Sequence, residues 1–350
     1  MKNSFLILTF SALILCAGCC KQAETPTLAG LYPSHFSHHE DGKTNQLFVI
    51  KNATGMEVAV MNIGATVVSL VAPDKEGNPT NVVESYDTIQ PFLEKREYRG
   101  TIVGRYANRI ADGHFVLDRV NYQVRQNEGK NMLHGGSHGF DRCFFEIEQA
   151  SEQQLICTYL SKDGDQGFPG DLTLTVTYTL TDANCLQVDY QATTNRATVI
   201  NVSNHSYFNL SGSDEDVFAN HELYIDANKY TPTREDLIPT GEIVAVTDVL
   251  NMTTLRNIDA EFQYDLNYVL NHPGNIANVA LKLQSQKSGI YMEIYTTEPG
   301  MQFYNDKKRP AFVLEPQHFP DSPNQPAFPS TVLRPDTVFN SQSTYKFGII

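Results

Sequence analysis

The ten residues LTLTVTYTLT (172–181) decide the fold class. Leu172, Leu174, Val176, Tyr178 and Leu180 recur at every second position, and threonines fill the positions between. A period of two places the apolar set on one face of a strand and the hydroxyls on the other. Asp182-Ala183-Asn184 then supplies a turn, and CLQVDYQA (185–192) alternates again through Leu186, Val188, Tyr190 and Ala192. The two runs are predicted to form an antiparallel hairpin.

The same pattern extends in both directions. QLFVIKN (46–52), EVAVMNI (57–63) and TVVSLVAPD (66–74) precede it, and HELYIDA, GEIVAVT, VALKLQS, IYMEIYTT and FVLEPQ follow. No amphipathic helix of three turns is visible, and TIQPFLEKREY (88–98) is at best a short one. Many strands joined by short turns, without alternating helices, predict an all-β fold, a large antiparallel β-sandwich. There is no fixed-period repeat and no composition break, so residues 31–350 are expected to form a single domain.

The N-terminus reads differently. MKNSFLILTFSALILCAGCC has one lysine, an apolar run from Phe5 to Leu15, and small residues before cysteine, the pattern of a signal peptide. Ala17-Gly18-Cys19 resembles the bacterial lipoprotein box. Residues 1–18 are therefore expected to be a lipoprotein signal, Cys19 the lipidated residue and 19–30 a tether, with Cys20 a competing choice. That implies a membrane-anchored protein of the cell envelope, on the periplasmic or outer-membrane face; an ordinary secretory signal is the alternative. Cys143, Cys157 and Cys185 are odd in number and widely spaced, so they imply free cysteines and no disulfide framework.

A net charge of −14 and a pI near 5.1 speak against nucleic acid as a partner, because phosphate backbones need Lys/Arg patches. No GxGxxG, Walker or GxSxG motif occurs, which leaves nucleotide cofactors and acyl-enzyme chemistry without support. Four polar stretches interrupt the strand pattern: GRYANRIADG (104–113), NEGKNMLHGGSHGFDR (127–142), NVSNHSYFNL (201–210) and FVLEPQHFPDSPNQP (312–326). Read as one strand, 201–210 gathers Asn201, Ser203, His205, Tyr207 and Asn209 on a single uncharged face. Glu315 breaks an otherwise apolar strand, and burying it unpaired is costly unless it has a task. His134 and His138 would suit a metal on a helix, but Gly135-Gly136 between them opposes one, so no metal is expected. Arg105 reads as a surface or ion-pair residue. These groups point to cofactor-free acid–base chemistry on a neutral, hydroxyl-rich molecule.

Taken together, GRYANRI, NMLHGG with GFD, NHSYFNL, IPTGEI (238–243), QFYN (302–305) and EPQHFPDSPNQPAFPSTVLRP (315–335) resemble the aldose 1-epimerase (galactose mutarotase) family from about residue 28 onward. The resemblance implies a sugar cleft on one sheet of a sandwich and interconversion of aldose anomers without metal or cofactor. It assigns His205 as general acid to the ring oxygen and Glu315 as general base at the C1 hydroxyl. His134 is implied as a second histidine beside the ring oxygen, and Asn108, Arg109, Asp265 and Gln302 as hydroxyl ligands, with Ser206 and Tyr207 flanking the acid. Reference pKa values of about 6.5 and 4.3 could serve that pair at pH 6–7 without extreme tuning. A hexose-phosphate epimerase, using Lys307, Lys308 and Arg309, remains an alternative. So do a non-catalytic carbohydrate-binding sandwich and, with Glu315 and Asp265, a glycosidase. The preferred aldose, and whether the protein is a monomer or a dimer, stay open.

Overall fold

The computed structural model describes residues 24–212, 217–307 and 309–350. The predicted hairpin is present: Leu172–Leu180 pairs with Cys185–Thr194 in the register Leu172↔Thr194 to Leu180↔Leu186. It forms the middle of a nine-stranded antiparallel sheet, joined by the C-terminal strand Phe339–Ile349 on one side and Gln154–Ser161 on the other. Burial follows the sequence period, with the leucine, valine and tyrosine face covered and the threonine face partly open.

A seven-stranded sheet packs against that apolar face. Its centre is Asp265–Val269, Gly300–Asn305, Phe312–Gln317 and Tyr207–Phe208. Leu174, Val176 and Tyr178 of one sheet meet Phe303, Phe312 and Leu314 of the other in one large core. Desolvating such faces is the main drive for stacking them. A four-stranded meander, Leu47–Lys51 to Pro79–Asn81, extends the core. α-Helix is confined to Ile89–Glu94 and Val217–Asn220 among the described residues, beside short 3-10 turns. The free cysteines divide, with Cys143 and Cys157 buried and Cys185 half-buried.

Three sequence expectations change. Residues 201–210 are not one strand: Ser203–Asn204 pairs with Ile102–Val103, whereas Tyr207–Phe208 pairs with Phe312–Val313 and Val83–Glu84. Between them His205 donates its N–H to Thr101 O at 2.9 Å and accepts from Gly100 N–H at 2.9 Å. The chain changes partners at the histidine, which exposes that side chain to a gap between ladders. GEIVAVT contributes only Val244–Ala245. Arg105 is no surface residue: it is 2% exposed. Its guanidinium donates to the carbonyls of Pro169 and Gly170 at 2.9 Å and to Ser161 Oγ at 2.6 Å.

Arg105 thus satisfies several loop carbonyls that have no strand partner. Replacing it by methionine leaves them buried and unpaired. Arg105→Met is expected to lower unfolding free energy by about 3 kcal/mol or more, read from urea denaturation midpoints at constant slope.

Candidate active site

The cleft opens on the outer face of the seven-stranded sheet and encloses about 250 Å³. Strand alternation supplies its floor. Gln302 and Glu315 are direct cross-strand partners, and Asp265 lies opposite Tyr304 one strand further on. Glu315 is 2% exposed, and its Oε1 has no hydrogen-bond partner. Its Oε2 lies 4.0 Å from His205 Nε2, too far for a hydrogen bond and close enough to share a substrate atom.

His134 enters from the Gly-rich loop. Asn108 and His134 clasp each other: His134 N–H donates to Asn108 O at 3.0 Å, and Asn108 N–H donates to His134 Nδ1 at 3.1 Å. Gly135 makes the clasp possible. A Cβ there would stand 1.8 Å from Gly104 O, and its φ of +86° also favours glycine. Because Nδ1 accepts, the neutral ring carries its proton on Nε2. The rings of Tyr98, His134 and Tyr207 pack around His205 with centroids 5.2–5.6 Å away.

Arg109 makes a two-pronged bond to Glu128 at 2.6 and 2.9 Å and reaches Asp265 Oδ2 at 3.5 Å. Gln302 Nε2 donates to Asp265 Oδ1 at 2.6 Å. Gln302 therefore buttresses Asp265 and does not line the cleft wall itself. Ser206 faces away: its hydroxyl donates to Asn204 Oδ1 at 2.5 Å. The other expected residues, Asn108, Arg109, His134, His205, Tyr207, Asp265 and Glu315, all line one cleft.

Sequence reading missed Arg96, Glu97, Tyr98, Glu128 and Tyr304, which complete the walls. The Asn-Glu-Gly context of Glu128 looked like an ordinary turn. Tyr98 ended a short helical signal, with nothing to mark its left-handed backbone.

Burial dominates the electrostatics. It pushes His205 down to about 4, with the Arg309 charge acting in the same direction. It pushes Glu315 up to about 8, helped by Asp265 and opposed by Arg109. His134 is driven well below the usual imidazole range by the same desolvation. Both groups therefore depart from the reference values expected for the pair, because they sit where a charge has no water. At neutral pH the pair holds one proton, on Glu315, and both partners are uncharged.

His134, His205 and Glu315 offer donor atoms within 4.8 Å of one another, a set of the kind that binds zinc. His138 is exposed and takes no part. His134 is poorly prepared for that role, since the nitrogen facing the trio bears the proton fixed by the Asn108 N–H. The trio is better suited to proton traffic than to coordination.

The family described as aldose 1-epimerase matches residues 46–346. The galactose mutarotase of Bos taurus is 35% identical over 316 residues, covering 84% of this chain and 92% of that protein. The aldose 1-epimerase of Escherichia coli K12 is 32% identical over 351 residues, covering 93% and 98%. Among solved structures, a GalM/aldose epimerase homologue from C. elegans superposes with a TM-score of 0.83 at 29% identity, covering 87% and 99%. The chain belongs to the aldose 1-epimerase family.

Glu315 gives the fold a pH signature. Its folded value is raised from 4.5 to about 8, so its stabilising contribution is complete below 4.5 and is lost as pH rises toward 8. Between pH 6.5 and 8 this loss amounts to about 2 kcal/mol. His205, His134 and His221, all depressed below 6.5, act in the opposite sense and mainly below that window. Chemical denaturation at both pH values should show the loss in the wild type and a smaller one in Glu315→Gln. Equal losses would place the proton elsewhere.

Proposed function

We propose that this cleft interconverts the α and β anomers of free aldoses, with His205 and Glu315 carrying the protons. The reaction is that of the family. The observation that carries the residue roles is one imidazole and one carboxyl, both buried, 4.0 Å apart at the cleft floor.

The reacting form has the single proton on His205 and a carboxylate at Glu315. His205 gives its proton to the ring oxygen as the C1–O5 bond breaks. Glu315 takes the proton of the C1 hydroxyl, whose electron pair forms the aldehyde. Rotation about C1–C2 presents the other face, and reclosure reverses both transfers. After ring opening His205 is neutral and Glu315 protonated, the distribution that burial favours. The gap between about 4 and about 8 belongs to the empty cleft and sets the direction of proton transfer, from His205 toward Glu315. In the empty cleft the same gap disfavours the reacting form, and donors from the sugar to the Glu315 carboxylate offset it. The neutral His134, with its Nε2–H, can polarise the ring oxygen without repelling His205.

Charge bookkeeping favours a neutral sugar over a phosphorylated one. Arg96 is bound to Asp141 at 3.0 Å, Arg109 to Glu128 at 2.6 Å and Arg309 to Glu97 at 2.7 Å. A phosphate dianion drawn to these arginines would compete with a carboxylate already in place. A pure binding module would have no use for a buried, unpartnered acid–base pair.

Polarimetry on freshly dissolved α-D-glucose and α-D-galactose tests the roles. His205→Ala and Glu315→Gln should each lower kcat about 10²- to 10⁴-fold in folded protein. Wild-type kcat/KM should be flat between the free-enzyme values of about 4 and about 8, falling where the pair holds two protons or none. A full rate in either variant would remove that residue from the mechanism.

We further propose that lipidated Cys19 anchors the enzyme in a bacterial envelope, where it would meet sugars outside the cytoplasm. Residues 1–23 lie outside those described, and the support is the Ala17-Gly18-Cys19 pattern. Cys19→Ala should abolish palmitate labelling and release the protein to the soluble fraction. Label that survives Cys19→Ala and disappears in Cys20→Ala would move the site.

A further inference from the structure

No hydrogen bond from another residue orients the imidazole of His205. Its Nδ1 is buried with no partner beyond its own backbone carbonyl, and its Nε2 stops 4.0 Å from Glu315. The nitrogen of a working histidine that does no chemistry ordinarily takes a hydrogen bond, which fixes both the proton and the ring. At His205 packing takes that part. The rings of Tyr98 and Tyr207 lie 5.6 and 5.3 Å from it, and His134 meets it edge-on at 5.2 Å.

Tyr98 and Tyr207 come from different elements, and one ion pair joins their surroundings. Glu97, next to Tyr98 in the loop after Ile89–Glu94, accepts from Arg309 Nη2 at 2.7 Å. Arg309 lies in the connection between the Gln302 and Glu315 strands, whose ladder ends at Asn305 and Phe312. Its Nε donates to Asp306 Oδ2 at 3.1 Å, and its guanidinium carbon stands 5.2 Å from the centre of the Tyr207 ring. Nη1 is buried without a hydrogen-bond partner among the described residues, so the face of Tyr207 receives charge that the two carboxylates leave over. Glu97 is braced in turn by Arg99 Nε at 2.9 Å and by the hydroxyl of Tyr86.

We infer that the Glu97–Arg309 pair is a clamp that positions the catalytic acid, holding Tyr98 and Tyr207 against the His205 ring and one positive charge at a fixed place near it. The inference rests on the anomer-interconverting reading of the cleft. Arg309 is a positioning residue, acting through Tyr207 and through its field. The titratable groups packed around His205 are Glu315, His134, Tyr98 and Tyr207. Arg96 and Arg109 act on His134, and Arg109 and Asp265 on Glu315, whereas Arg309 is the cation that disfavours a proton on His205. A weaker base has a stronger conjugate acid, so the clamp both aims the imidazolium and strengthens its donation to the ring oxygen.

The test follows the His205 imidazole C–H resonance by NMR titration, assigned by its loss in His205→Ala, beside polarimetry on α-D-glucose and α-D-galactose. Arg309→Met removes the charge and keeps an apolar stem. It should raise the His205 value from about 4 by about half a pH unit. It should also lower kcat about tenfold with KM within about threefold. Glu97→Gln leaves the Arg309 charge less compensated, so it should move the same resonance the opposite way, again with reduced kcat. Arg309→Lys keeps the charge without the planar fork, and should restore the titration while kcat stays low. A pair that served folding alone would lower the thermal midpoint of these variants and leave the titration in place, which would overturn the clamp. Shifts of the same sign in Arg309→Met and Glu97→Gln would overturn it as well. So would a loss confined to KM, which would make Arg309 a sugar ligand. A wild type that accelerates neither sugar would overturn the reading of the cleft, and the clamp with it.

Discussion

The site depends on one constraint: a carboxyl and an imidazole are held where neither can be charged cheaply. Strand pairing creates that situation. Glu315 is fixed by its ladder with Gln302, and His205 by backbone bonds to Thr101 and Gly100 at the point where its segment changes partners. Neither side chain chooses its position, since both are delivered by a backbone whose bonds are made elsewhere. The core beneath supplies the rigidity, with Phe312 and Leu314 preceding Glu315 along the strand and belonging to the main core. Proton affinity here is a consequence of sheet geometry more than of any specific partner.

Around that pair, the remaining groups form a graded shell. His134 is locked by a reciprocal backbone clasp, Asp265 by Gln302 and Arg109, and Arg109 by Glu128. Each is held by a neighbour: Asn108, Arg109 and Glu128 line the cleft themselves, whereas Gln302 does not. Such support keeps these side chains oriented before a ligand arrives, which limits the ordering cost of binding. The family's cast of residues therefore comes with a supporting layer in this chain that short motifs do not display.

Alternation made most of the fold legible: Leu172–Leu180 and its partner read as strands, and they are strands at the centre of the larger sheet. Of the face that alternation gathered, His205 and Tyr207 line the cleft and Asn201, Ser203 and Asn209 do not, because the segment changes partners and is not one strand. Ser206, next to His205 in sequence, has its hydroxyl on Asn204 instead. Long-range contacts stayed hidden. Nothing local indicates that Arg105 reaches Pro169 and Ser161, or that Arg309 meets Glu97 from more than two hundred residues away. The proton affinities were misread for a related reason, because reference values describe groups in water and burial is decided by the whole sheet.

The pairing of every cleft arginine with its own carboxylate has a kinetic consequence. The chain is strongly acidic overall, yet among the described residues each cleft arginine already faces a carboxylate. A neutral sugar feels neither attraction nor repulsion from the surrounding field, so its capture depends on diffusion and shape and is indifferent to ionic strength. An enzyme working where salt concentration fluctuates would keep the same affinity throughout.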